Sequence, residues 1–574
     1  GPAEVVWRSP DARAALLRWG PGHGGTASAG AGSWYGASGG DGAGAPDGAG
    51  YGSSARYGGA VASHAGTIWA GAPGDGPSAV CARTSVTRVD PVYLAEVPGA
   101  VIVADRATWA AWTVSRLGDH DPLQLCALLG PGFPLGSVTP FRGVAAVPGS
   151  TALHLLNGSL TRQRATTAFD GAAADEAVRA VSGLAHGGSG DRGHLARERP
   201  NPGPGGPVRA GSSLRGAREV AEALVAAVAP LRDAGGPVEL SLTGGKDSRL
   251  IAAALVKAGV PVIAKTHGFD DHPDVVVAAE IARRLGLEHV VRTPAAPGQR
   301  VDVLGRIRAT VLVADGMLSA FENVGRPDPA ASPALTAGGH GGELLRGGYA
   351  ETAGRRGAPS GLRRAVAPAR RAARSAELLR RLTTKHLGLV RRGPAAAYVA
   401  SLAPWTGPLA RHPLHALDDF YLVNRAGRWS AAARQAYLLR ERLTQPLFDD
   451  RVVLAARTVP LGDRISGALS AAVLAELSPA LTDVPLAGKP DPALAPFDWR
   501  RQYGETISTF LRGYILDLGL TGGLFDVVSQ SAVEAQLTPP HADRATVWAL
   551  ATAACLVSGD YRKARETPTK LTVT

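Results

Sequence analysis

Cysteine is scarce in this chain of 574 residues: Cys81, Cys126 and Cys555 stand far apart in no paired or clustered pattern. Such spacing supports neither a disulfide framework nor a zinc site. Aromatic residues are only 5% of the chain while Gly 73 and Pro 42 are abundant, a balance that predicts long irregular segments. No apolar run is long enough to span a bilayer and no signal peptide is visible, so no membrane association is expected and a reducing cytoplasm fits. The initiator Met is missing, and the Gly1-Pro2 start reads as a protease scar. Negative charge is in deficit: Lys+Arg 61 against Asp+Glu 49 give +12, which suits a polyanion or an acidic surface without choosing between nucleotide, nucleic acid and peptide. The length favours more than one domain.

The most informative stretch is Val238-Glu-Leu-Ser-Leu-Thr-Gly-Gly-Lys-Asp-Ser-Arg-Leu-Ile251. Its apolar start reads as a buried parallel strand, Gly244-Gly245 as a tight turn, and Asp247 onward as a helix with Leu250, Ile251 and Leu255 on its apolar face. A strand, a glycine turn and a helix start make an anion site, because backbone N–H groups close on the anion and the helix end adds partial positive charge. Hydroxyls at Ser241, Thr243 and Ser248 can add hydrogen bonds. Asp247 would repel phosphates unless it carries Mg2+ between protein and nucleotide. The plain alternative is a strand-to-helix turn with chance glycines.

The loop is not of the Walker A type, since Leu240 and Asp247 stand where that pattern needs Gly and Ser or Thr. Ser241-Leu-Thr-Gly-Gly-Lys-Asp-Ser248 instead resembles the S-x-x-G-G-x-D-S pyrophosphate loop of ATP pyrophosphatases such as asparagine synthetases. The resemblance implies that Ser241, Leu242, Thr243, Gly244, Gly245, Lys246, Asp247 and Ser248 surround the ATP phosphates.

Ala337-Gly-Gly-His-Gly-Gly-Glu-Leu-Leu-Arg-Gly-Gly-Tyr349 is a second signal, similar to the S-G-E-G-A-D-E-L-F-G-G-Y run of asparagine synthetases. The alignment places Gly339 in the nucleotide wall and Glu343 on the family's metal-binding Asp, so Asp247 and Glu343 are the implied Mg2+ ligands. It places His340 at the position facing the acceptor substrate, where an imidazole suits taking a proton from an attacking amine. The resemblance also makes His267, after the second strand Val260–Thr266, an adenine-wall candidate. Leu477 to Lys489 resembles the stretch with the family's catalytic lysine, which makes Lys489 the group that offsets charge near the alpha phosphate. Asp274, opening the helix to Leu285, reads as a helix cap.

The remaining chain supplies the frame. Residues 1–186 hold short apolar runs such as Val97 to Asp105 between Gly, Pro and Asp, which suggests a strand-rich domain, with a mobile Gly-rich insertion near 22–59. Leu135 to Gly149 resembles a segment of asparagine synthetase glutaminase domains, implying an Ntn glutaminase-like fold. The nucleophilic Cys that opens such domains is missing, so glutamine hydrolysis is not expected. A polar Gly/Pro-rich linker occupies 187–213. Residues 214–574 are then expected to form an α/β synthetase domain resembling adenine nucleotide alpha hydrolases, with a doubly wound parallel sheet, extra helices and ligands at the carboxyl ends of its strands. Gly354 to Arg392 is a basic block read as a solvated face or as a dock for an acidic partner; without interleaved aromatics, nucleic acid is not expected.

Three branches of the family compete. An asparagine synthetase needs an ammonia source, and a beta-lactam synthetase has Tyr where His340 stands. The Thr-Gly-Gly-Lys-Asp-Ser-Arg and Gly-Gly-His-Gly-Gly-Glu forms, with Asn424-Arg-Ala-Gly-Arg-Trp429, most resemble lasso-peptide cyclases. That resemblance implies a core peptide as substrate, ATP and Mg2+ in the site, an isopeptide macrolactam as product, and a leader peptidase and leader-binding protein as partners. A non-catalytic scaffold is the reading from another class; the intact acidic and lysine positions argue against it.

Overall fold

The computed structural model describes residues 79–164, 210–293, 301–354, 367–488, 505–538 and 543–563, less a few positions within those spans, with short strands at 4–8, 14–18, 55–57, 60–62, 67–70 and 570–571. Lys489, positions 187–209 of the expected linker and most of the 22–59 insertion lie outside the described residues.

Five parallel strands organise the C-terminal half, in the spatial order Glu288–Arg292, Val262–His267, Val238–Ser241, Leu335–Ala337, Arg442–Thr444. Val238–Ser241 comes first in the chain and lies in the centre. The next two strands build outward on one side and the last two on the other. The order therefore reverses between Val238–Ser241 and Leu335–Ala337, and a crevice opens at such a reversal beyond the strand ends. Both glycine-rich loops leave from these two strands.

Val238 and Leu240 are fully buried, but the opposite face of the central strand is polar. Glu239 pairs there with Lys265 on the next strand and lies 3.6 Å from Arg292 on the one beyond. The helix after the loop spans Lys246–Lys257 and buries Leu250, Ile251 and Leu255, the positions expected from its spacing. The helix Ala210–Val228 buries Val220, Leu224 and Val228 against Asp450–Thr458 and Ala468–Leu477.

The N-terminal part is strand-rich. Thr151–Leu156 pairs antiparallel with Ala79–Arg83 and Ser159–Arg164. The run from Val97 to Asp105 belongs to a hairpin of Tyr93–Val97 and Ala100–Ala104, with Val144–Ala146 on its other side. One apolar cluster joins this part to the C-terminal half, with Tyr93, Leu125 and Phe141 sharing it with Met317, Phe420 and Trp548. Arg106 and Asp315 pin the junction: Asp315 accepts from Arg106 Nε at 3.0 Å, from the Ala107 backbone N–H at 2.9 Å and from the Thr108 hydroxyl at 2.7 Å.

Helix Pro413–Phe420 runs into a ten-residue π-helical stretch, Tyr421–Ser430, before α-helix resumes at Ala431–Leu438. Wide turns of this kind are rare and frequent at functional sites. The N-terminal part holds it in place. Gly136 N–H donates to Asn424 Oδ1 at 2.8 Å, and Arg88 donates to the carbonyls of Val423 (3.1 Å) and Gly427 (3.3 Å).

The basic block is helical over Ala367–Thr383, with Arg370, Arg371, Arg374, Arg380 and Arg381 exposed; Glu377 pairs with the last two. Cys126 and Cys555 are buried free thiols. No helix among the described residues is long and apolar enough to cross a membrane.

Candidate active site

The Ser241–Ser248 loop is already closed on itself. Ser248 Oγ accepts from the Thr243 backbone N–H at 3.1 Å and lies 3.1 Å from the Thr243 hydroxyl, while Gly245 N–H donates to Thr243 Oγ1 at 3.2 Å. Leu242 is buried, its N–H bonded to the Lys265 carbonyl at 3.0 Å, and Ser241 is exposed. The Thr243 and Ser248 hydroxyls thus hold the turn's shape first. Gly245 precedes the helix whose first turn carries Lys246 and Asp247, so the helix N-terminus faces the turn.

The Gly244 N–H is engaged by a group that sequence reading assigned elsewhere. Asp274 Oδ1 accepts from it at 2.9 Å. The expectation that Asp274 caps its own helix is corrected: His272 is the cap, its Nδ1 accepting from the Asp274 N–H at 3.1 Å, and that frees the Asp274 carboxylate to brace the loop.

Arg249 was not singled out from sequence and holds the loop from behind. Only 3% exposed, its guanidinium donates to the carbonyls of Gly244 and Gly245 at 3.0 Å each, Val484 at 2.8 Å and Pro485 at 2.9 Å. Ala487 N–H completes the join by donating to the Gly244 carbonyl at 3.1 Å. The segment that leads into Lys489 is therefore fastened to the glycine turn. Lys489 itself lies outside the described residues.

The second loop meets the first across the crevice, and two of its glycines let it do so. A Cβ on Gly339 would come 2.9 Å from the Ser248 backbone nitrogen, and one on Gly342 would fall within the Asp247 carboxylate. Any side chain at these positions drives the loops apart. Sequence reading named both Gly339 and Asp247, and the structure brings them to the same place. His267 ends the strand Val262–His267 and is exposed, one strand away from the turn.

The acids converge on one cation. Arg346 makes an ion pair with Asp247 through Nη1, and its Nη2 lies 3.3 Å from Asp247 Oδ2 and 4.0 Å from Glu343 Oε1. Burial raises the Asp247 pKa; Arg346 opposes this, and Glu343 and Glu351 add to it. Two carboxylates drawn to a single nitrogen form an oxygen-donor set that fits Mg2+, an ion that usually takes one or two protein carboxylates and fills its remaining sites with water and phosphate. No group of three or more His, Cys, Asp and Glu that could hold a metal occurs among the described residues, so a metal here relies on these two acids and the substrate.

The acceptor side contains residues beyond the site candidates named from the sequence. The π-helical stretch brings Tyr421 to Glu343, and burial together with that carboxylate keeps the Tyr421 phenol well above its ordinary pKa. Arg425 stacks on Trp429, 3.5 Å from the ring centroid. Tyr349 meets Tyr421 edge-on at 5.1 Å. His340 reaches solvent beside them, yet the surrounding protein desolvates it enough to lower its pKa; Glu343 and Asp247 pull the other way and Arg425 adds to the lowering. A lowered imidazole pKa favours the neutral, proton-accepting form.

Residues 219–476 match the family model described as Asparagine synthase, so this span is an asparagine synthase family domain. At that coarse level it stands with ATP-dependent ligases that form amide bonds. No curated protein matches the chain.

Proposed function

We propose that the chain is an ATP-dependent ligase that activates a carboxylate of a core peptide as its adenylate and joins it to the peptide's own N-terminal amine, closing a macrolactam of the lasso-peptide kind. One observation carries the reading: at the sheet's reversal point the Gly339–Glu343 loop abuts Asp247 and Ser248, at the start of the helix that follows the Gly244-Gly245 turn, and Asp247 and Glu343 both face Arg346.

In the first step an oxygen of the substrate carboxylate attacks the alpha phosphorus of ATP, the bond to the bridging oxygen breaks, and pyrophosphate leaves with that electron pair. The start of helix Lys246–Lys257 receives it. Asp247 and Glu343 would hold Mg2+, which screens the triphosphate charge. In the second step the amine nitrogen attacks the acyl carbon, the bond to AMP breaks, and AMP departs with the electron pair. His340 accepts the amine proton, and Lys489 offsets the charge on the departing phosphate.

The peptide preference draws its support from the acceptor side. Arg425 and Trp429 lie in the run that resembles lasso-peptide cyclases, and Arg425, near enough to His340 to lower its pKa, stacks on Trp429 to offer an aromatic and cationic surface to a chain larger than an amino acid. Substrate delivery would involve a leader-binding protein and a leader peptidase. In the cell the enzyme would work in the cytoplasm, where ATP is available.

The test is incubation of the full chain with ATP, Mg2+ and a precursor-derived peptide that has a free N-terminus and an internal Asp or Glu. Pyrophosphate release together with a product lighter by one water supports the reading. Release with small carboxylates alone moves the assignment to a small-molecule ligase, and no release with any carboxylate sinks it.

A further inference from the structure

Asp247 is already paired. Both of its oxygens accept from the Arg346 guanidinium, and the backbone of Gly342 presses so closely on the carboxylate that a Cβ there would overlap it. The Arg346 side chain is only 11% exposed, and its Nε lies 3.3 Å from Glu351 Oε2, a third acid that is itself largely buried. The guanidinium therefore stands among three acids, and two of them are the ones proposed to hold Mg2+.

We propose that Arg346 is the site's resident cation, partly offsetting the charge of Asp247 and Glu343 when no nucleotide is bound, and that a divalent ion must displace it toward Glu351 to bind. This rests on the ligase reading above. Charge balance explains the arrangement. With the metal on Asp247 and Glu343 and the guanidinium on Glu351, each acid keeps a cation; without the metal, one arginine holds the acids together against their mutual repulsion. Arginine suits the task because its planar fork serves two carboxylates at once. The consequence is a built-in coupling. An ion alone has to break the Asp247 pair, whereas one arriving with a triphosphate brings further ligands that offset the loss, so metal and nucleotide load together.

The experiment is Mn2+ binding to the full chain, measured by electron paramagnetic resonance with and without a non-hydrolysable alpha,beta-methylene ATP analogue. Arg346→Gln is expected to bind Mn2+ about tenfold more tightly than wild type without nucleotide, and the tightening that the analogue gives wild type should shrink by a similar factor. Glu351→Gln should do the opposite and weaken Mn2+ binding, because the displaced guanidinium loses its second partner. General damage to the site would move both variants the same way. Folded Arg346→Gln binding no tighter than wild type overturns the proposal. Should that variant fail to fold, Arg346→Lys decides: its ammonium cannot fork, so binding about threefold tighter than wild type supports the proposal and unchanged or weaker binding overturns it. Wild type that takes up neither Mn2+ nor the analogue brings down this proposal and the ligase reading together; intact binding of both with unchanged variants brings down this one alone.

Discussion

The backbone N–H of Ala487 donates to the carbonyl of Gly244 at 3.1 Å, so the glycine turn ahead of the helix start proposed to receive pyrophosphate is joined directly to the segment that leads to position 489. Four carbonyls held by Arg249 fix the same junction from the buried side. The glycine turn and the 484–487 segment are thus one unit, although more than two hundred residues separate them in the chain.

Arg249→Met tests that unit. The substitution keeps most of the side chain's bulk but removes all four hydrogen bonds; the Gly244 carbonyl keeps the Ala487 N–H, while a buried carbonyl left without a partner, as at Val484, costs about 1–3 kcal/mol. The turn and the 484–487 segment then lose their common anchor. The expected outcome is a KM for ATP raised about tenfold and a turnover lowered by a similar factor, since small displacements of positioned groups are costly. Pyrophosphate release at varied ATP is the measurement. A fall in thermal stability with both constants unchanged would show that Arg249 serves the fold and not the site.

Much of this site was legible in the sequence because its parts are local. A glycine pair after an apolar run and before a helix declares a turn, and Lys246–Lys257 forms one residue earlier than the expected start at Asp247. The adjacency of the two loops followed from the general rule for parallel sheets. Contacts made across the chain were not legible. Arg346 and Asp247 lie 99 positions apart, and nothing in the composition of either loop announces their pairing. Asp274 looked like a helix cap because caps favour Asp near a helix start; His272, a weaker capping residue by type, took that place and freed the carboxylate. The π-helical stretch escaped for another reason: its apolar residues can be read as an ordinary helix, and only the hydrogen-bond register distinguishes it.

Arg464 and Asp418 form a buried pair whose loss should be costly. Asp418 Oδ2 accepts from Arg464 at 2.9 and 2.5 Å and from Arg457 at 2.9 Å, and both the Arg464 and Asp418 side chains are almost wholly buried. Removing one partner of such a pair costs about 3–5 kcal/mol, mostly from the charge left behind. Arg457 still touches Asp418, which puts Arg464→Met near the lower end. Adding Asp418→Asn to Arg464→Met should recover part of the loss, because no uncompensated carboxylate then remains. Urea unfolding of both variants checks this. A double variant less stable than the single one would mean that the pair's value lies in its own attraction.

Asp450 gives a pH dependence with a defined sign. Its carboxylate accepts from the Val86 backbone N–H at 2.9 Å, tying the N-terminal part to helix Asp450–Thr458. Burial first, and then the charges of Asp449 and Asp90, raise its pKa from 3.8 to about 6, against the Val86 hydrogen bond and Arg83. The folded chain therefore holds a proton that the unfolded chain has already released between about pH 4 and pH 6. Asp450's contribution to stability falls as pH rises through that window and stays low above it, a penalty of at most about 3 kcal/mol at neutral pH. Asp450→Asn keeps an oxygen for Val86 and removes the charge. It should gain about 1–3 kcal/mol at pH 7.5 and almost nothing near pH 3.5, where wild type is protonated when folded and mostly protonated when unfolded. Urea midpoints at the two pH values decide the matter: an equal gain at both would show that the carboxylate's charge is not the source of the penalty.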